Sequence, residues 1–139
     1  RLPDMTAFID SLPEGFSFVI EVRRRRWLTE ILIDHLRENK VALAVTDLPW
    51  MARAAHIDTA PTVYLRFLGD SKHNRKYGRE GVPRRKKVFH SFSSLAAERA
   101  DRNRPVFAFF SNRYAGYALM SAMSFNGAVI DKLEELDRS

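Results

Sequence analysis

Glu21 and Arg23 stand one residue apart at the end of an apolar run, so an extended chain would place both on one face. Asp47, Arg66 and Asn112 each close a later apolar run in the same way. An arginine's planar fork grips a carboxylate or phosphate through two parallel hydrogen bonds. A carboxylate can take up a proton or hold a divalent cation through oxygen. Glu21 and Asp47 are therefore the candidate catalytic groups. Arg23, Arg66, Asn112 and the nearby Trp27 are the candidate ligand-binding groups. Plainer roles stand beside these. Glu21 and Arg66 could neutralise one another as an ion pair, Asp47 could be a turn residue before Leu48-Pro49, and Asn112 could cap a helix.

The elements that would position these groups alternate in period. Residues 16–22, 41–46, 62–67 and 105–110 are short runs rich in β-branched, aromatic and aliphatic residues and read as strands. Between and around them, Asp4 opens a first helix running to Leu12. A second helix is expected over 27–39, with Leu28, Ile31, Leu32 and Leu36 on one face. Residues 89–102 and 116–137 supply two more. The second strand lacks polar alternation until its end, as suits a strand covered on both faces in a parallel sheet. The expected fold class is therefore α/β, with parallel (β/α) units and about four strands. Four such units form a small open sheet or half of an eight-stranded barrel. Either way, the carboxyl ends of the strands make the ligand-binding rim, where the polar residues lie.

The charge is unevenly spread. The net charge is +6, with 23 Lys and Arg against 17 Asp and Glu. Four consecutive arginines, Arg23, Arg24, Arg25 and Arg26, form one basic segment. Lys72, Arg75, Lys76, Arg79, Arg84, Arg85, Lys86 and Lys87 form another, in a loop expected at about 70–87. The two segments hold 12 of the 23 cations, and the remaining chain is net acidic. Localised cations of this kind suit a phosphate backbone, so nucleic acid is the alternative partner to an anionic small molecule. Trp27 or Tyr77 would then stack on bases. A solvated loop that serves solubility is the plain alternative.

Cysteine is absent, which excludes a disulfide framework and any cysteine-ligated metal, and fits a cytoplasmic setting. His35, His56, His73 and His90 show no ligand spacing, so no metal site is expected, beyond a divalent cation on the carboxylates. His35 reads as a helix-surface residue. The longest uncharged run, residues 114–130, is too short and too polar to span a membrane. No repeat or low-complexity linker divides the 139 residues, which read as one (β/α) domain or domain fragment. The chain opens on Arg1 rather than methionine, which suggests a piece of a larger protein.

Taken in order, several motifs resemble one family. Glu21-Val22-Arg23 followed by Trp27 resembles the Glu-x-Arg-x-x-x-Trp motif of the YecE-like family, a group of uncharacterised bacterial and archaeal proteins. Asp47-Leu48-Pro49 and the run from Thr59 to Gly69 continue the likeness, as do Phe109-Phe110-Ser111-Asn112 and Gly116-Tyr117-Ala118 with Ala122. The resemblance implies a TIM-like barrel, with this sequence matching its C-terminal half. Two positions depart from the family pattern. Leu68 stands where members usually carry histidine, and Ser111 precedes Asn112 where they carry paired asparagines. The resemblance implies a fold and a strand-end site but no established activity. A hydrolase-type reaction is the enzyme reading. A half-barrel would also leave two sheet edges open, so self-association, or pairing with a missing N-terminal half, is expected.

Overall fold

Thr29 shows how the chain sets its elements. Its hydroxyl accepts the Leu32 N–H at 3.3 Å and starts a helix over Glu30–Glu38 that buries Leu32, Ile33 and Leu36. The computed structural model describes residues 2–51, 54–69, 83–112 and 118–138. Within them the helices are α1 (Leu2–Asp10), α2 (Glu30–Glu38), α3 (Pro83–Asp101) and α4 (Ala118–Asp137). The strands are β1 (Val19–Ile20), β2 (Ala42–Thr46), β3 (Val63–Phe67) and β4 (Val106–Phe110). Short 3-10 turns cover Arg25–Trp27, Pro49–Met51 and Ala54–His56.

The four strands form one sheet in chain order, β1-β2-β3-β4, and every pair is parallel. Leu43 and Val45 share a face with Val63, Leu65 and Phe67 and with Val106, Ala108 and Phe110; this is the helix-covered face. Phe67 is its centre, at 0% exposure. Its ring stacks on Phe110 at 4.2 Å and meets Phe92 and Phe125 edge-on at 5.3 and 5.2 Å. A second cluster, built on Leu32, Leu36, Leu43 and Met51, joins α1 and α2 to the first half of the sheet. By strand alternation, Ala44, Thr46, Tyr64, Arg66, Phe107 and Phe109 lie on the opposite face.

Two helix-to-strand joints are built alike. After α2, Lys40 takes φ 54°, and Val41 N–H donates to the Leu36 carbonyl at 2.9 Å. After α3, Asn103 takes the same φ of 54°, and Arg104 N–H donates to the Arg99 carbonyl at 3.0 Å. Each is a Schellman-type cap with a left-handed residue other than glycine at its corner.

Several boundaries differ from those expected. The first strand's ladder is confined to Val19–Ile20, within the run at 16–22. Trp27 belongs to a 3-10 turn, and α2 waits for its Thr29 cap. α3 begins at Pro83, before the helix start expected at 89, while residues 70–82 of the expected loop lie outside the described residues. His35 is not a free surface residue. Its Nε2 lies 2.9 Å from Asp10 Oδ1 and 3.2 Å from the Thr6 carbonyl, tying α2 to α1.

Candidate functional site

The polar groups that follow the strands meet at their carboxyl ends. Glu21 comes directly after β1, and Arg66 is the fourth residue of β3. The Arg66 Nη1 donates to Glu21 Oε2 at 2.5 Å, and the Arg23 Nε donates to Glu21 Oε1 at 2.6 Å. One carboxylate thus holds two guanidinium groups, leaving the trio with a formal charge of +1. Glu21 is largely enclosed at 15% exposure, whereas the Arg66 side chain is 41% exposed and Arg23 is mostly in solvent. Among the described residues Arg66 bonds through Nη1 alone.

Asp47 plays a different part. Its Oδ1 accepts the Leu68 N–H and its Oδ2 the Gly69 N–H, both at 2.9 Å. Gly69 has φ 73°, a conformation that glycine adopts without strain, and this lets two successive amides turn towards one carboxylate. Asp47 therefore fixes the path of the chain leaving β3, right behind Arg66. Thr46, just before it, has a buried hydroxyl with no hydrogen-bond partner among the described residues, on the same face as Arg66.

The other expected residues fall in different places. The Asn112 Oδ1 accepts the Ala118 N–H at 3.0 Å, which spans the start of α4. Trp27 is half-buried and packs against the cluster around Leu32 and Met51. Arg24, Arg25 and Arg26 are exposed just past β1, and Lys86 and Lys87 are exposed near the start of α3. Lys72, Arg75, Lys76 and Arg79 lie outside the described residues, as do the side chains of Arg84 and Arg85. Tyr77 and His73 lie outside them too. Among the described residues Glu21 and Asp47 are the carboxylates that follow strand ends. Among the described residues no group of three His, Asp or Glu side chains is placed to enclose one.

Two features are not evident from the strand-end pattern. The first is the aromatic surface of Tyr64, Phe107 and Phe109 beside Arg66; the spacing Tyr64-x-Arg66 and Phe107-x-Phe109 was its available signal. The second is an ionic hub at the opposite end of the sheet. Asp58 takes both terminal nitrogens of Arg104 at 2.9 and 3.1 Å and Arg99 at 3.1 Å. Burial alone would raise the Asp58 carboxyl, but Arg104, with Arg99 and Arg102, outweighs it and holds the carboxyl below its ordinary value. A cleft of about 710 Å³ also lies at that end, among residues 12–18 and the strand starts. Glu14 and Lys40 are its charged lining residues, and it lies away from the convergent groups of the rim.

Among the described residues no helix is long and apolar enough to cross a membrane. No curated protein matches the chain significantly. Solved structures do. A DUF72 family protein from Thermotoga maritima superposes with a TM-score of 0.64 at 22% identity, covering 91% of this chain and 50% of that one. A DUF72 family protein from Enterococcus faecalis V583 superposes with a TM-score of 0.62 at 17% identity, covering 92% and 51%. The chain thus spans about half the length of these structures and shares the α/β fold of TIM-barrel-like proteins. The sequence profile described as "Protein of unknown function DUF72" matches residues 1–138, in agreement with the YecE-like resemblance. With that profile matched along nearly its whole length, the chain belongs to the DUF72 family.

Proposed function

We propose that this chain binds an anionic or phosphorylated ligand at the carboxyl ends of its strands, with Arg66 and Arg23 as the anion-holding groups. The observation that carries this reading is the single Glu21 carboxylate shared by both guanidinium groups. A lone arginine would need only one acid to neutralise it. Here two cations share one acid, and Arg24 to Arg26 follow immediately, so the rim retains positive charge. Glu21 pre-orients Arg66, lowering the entropy that a ligand must remove. In a hydrolase-type reaction Glu21 is the rim carboxylate that would take up a proton, or hold a divalent cation with the ligand, once Arg23 turns to the ligand. Asp47 positions the neighbouring backbone.

Titration calorimetry with inorganic phosphate tests the reading. Binding is expected for the wild-type chain and at least tenfold weaker for Arg66→Gln, with the fold retained. Absence of phosphate binding by the wild-type chain at low salt would overturn it.

A second reading has its own observation. The exposed Arg24, Arg25 and Arg26 follow the carboxyl end of β1, and the exposed Lys86 and Lys87 lie near the start of α3, the helix that follows β3. These cations favour a nucleic-acid backbone. Affinity for generic duplex or single-stranded DNA should fall steeply with salt and drop when Arg24 to Arg26 are neutralised. Salt-independent binding, or none, would remove this reading.

A further inference from the structure

Thr46 closes β2 at 1% exposure, and its hydroxyl has no hydrogen-bond partner among the described residues. A hydroxyl is costly to bury without a hydrogen bond. Its place in the sheet ties it to the rim. The parallel register sets Thr46 directly opposite Arg66, with both side chains on one face. The Arg66 guanidinium bonds to Glu21, which follows β1, so the pair crosses β2 on the face where Thr46 stands. That crossing spans two strand spacings, about 10 Å, and Thr46 lies on the strand between. Neither neighbouring carboxylate takes up the hydroxyl. Both Glu21 oxygens meet guanidinium groups, and both Asp47 oxygens accept backbone N–H groups.

We propose that Thr46 is a further binding residue of this rim, its hydroxyl donating to one oxygen of a phosphoryl group that Arg66 and Arg23 hold. The inference rests on the reading of the two arginines as anion holders and adds a residue and a ligand class. The three donors belong to three successive strands or strand ends and lie at different depths. The hydroxyl is buried, Arg66 is half-exposed and Arg23 is mostly in solvent. A carboxylate has its two oxygens in one plane, and a single guanidinium fork takes both. The terminal oxygens of a phosphoryl group form a pyramid, so one can point down to the hydroxyl while the others face the arginines. That oxygen is the acceptor the hydroxyl lacks. Arg23, the most exposed of the group, is the side chain that turns from Glu21 to admit it.

Titration calorimetry on Thr46→Val and Thr46→Ser, with inorganic phosphate and acetate as probes, tests the assignment. Valine keeps the shape and removes the hydroxyl, whereas serine keeps the hydroxyl. Phosphate is expected to bind about tenfold more weakly to Thr46→Val, the effect of one hydrogen bond to a charged group. Thr46→Ser should stay within about twofold of wild type. Acetate should be bound no more weakly by Thr46→Val than by the wild-type chain. The urea midpoint of Thr46→Val should not fall, since no hydrogen bond within the described residues is lost. Wild-type phosphate affinity in Thr46→Val would overturn the role of Thr46 and leave the anion site standing. A lowered midpoint accompanying the affinity loss would make the hydroxyl structural and overturn it too. An equal loss for acetate would overturn the phosphoryl class. Absence of phosphate binding by the wild-type chain would remove the anion site and this inference together.

Discussion

Glu21, at the end of β1, reaches across the sheet to Arg66 on β3, 45 positions further along the chain, and holds its guanidinium at 2.5 Å. The pair bypasses β2 and joins the first strand to the third at the rim.

Glu21→Gln keeps the shape and removes the charge that organises Arg66 and Arg23. The partly solvated pair should contribute about 1 kcal/mol to stability. Denaturant titration should therefore show a small loss, with a larger fractional loss of phosphate affinity. Global unfolding of Glu21→Gln would instead make the pair chiefly structural.

Asp47→Ala removes the acceptor of two backbone N–H groups, those of Leu68 and Gly69. The cost should be about 2 kcal/mol, since charge-assisted bonds are lost and two donors are left seeking partners. Asp47→Asn keeps one carbonyl oxygen and should recover part of this. Urea midpoints for the two variants give the comparison, and equal midpoints would sink the assignment.

Phe67 stacks on Phe110 and meets Phe92 and Phe125 at 0% exposure. Phe67→Ala should cost about 4 kcal/mol, the transfer loss plus a cavity that the other rings cannot fill. Phe67→Leu should cost less than half of that. Thermal melts order the three proteins.

Asp58 has a carboxyl held below its ordinary value of 3.8, so its contribution to stability has a definite sign. The pairing is present in full above the unfolded value. It is lost as acidity carries the folded carboxyl through its own lower value, which places the loss in the acid range below about pH 4. Asp58→Asn should be less stable than wild type at neutral pH and should converge with it in acid. A stability difference independent of pH would count against the ionic role of this hub.

Exposed Leu119, Met120, Met123 and Ile130 lie along α4, and Phe107 and Phe109 lie on the open face of the sheet. Apolar surface of this extent promotes association. The 139-residue chain is expected to self-associate, with sedimentation velocity showing a mass that rises with concentration. A single monomeric species at high concentration would refute this.

Much of the fold could be read from apolar runs and their punctuation. The runs at 41–46, 62–67 and 105–110 correspond to β2, β3 and β4 within a residue, because continuous apolar stretches of strand length have few alternatives. The start of α3 is not visible as periodicity, because Pro-Arg-Arg-Lys-Lys carries no apolar pattern; proline at a first helical position is the usable signal. The apolar spacing of Trp27 continues the helical pattern of α2, and the Thr29 cap is the feature that separates the turn from the helix. Convergence of Glu21 and Arg66 followed from strand ends sharing one rim. The Asp58 hub did not, since its partner Arg104 is 46 positions away and neither residue ends a strand. His35 carried no sign that α1 would pack against its helix.

The matched corners at Lys40 and Asn103 make the chain modular. Each delivers a strand into the same parallel ladder after a helix of quite different length, 9 residues in α2 and 19 in α3. The joint, rather than the helix, governs where the next strand enters. In this chain the entry of a strand is thus separated from the length of the helix before it, and the same corner serves both units.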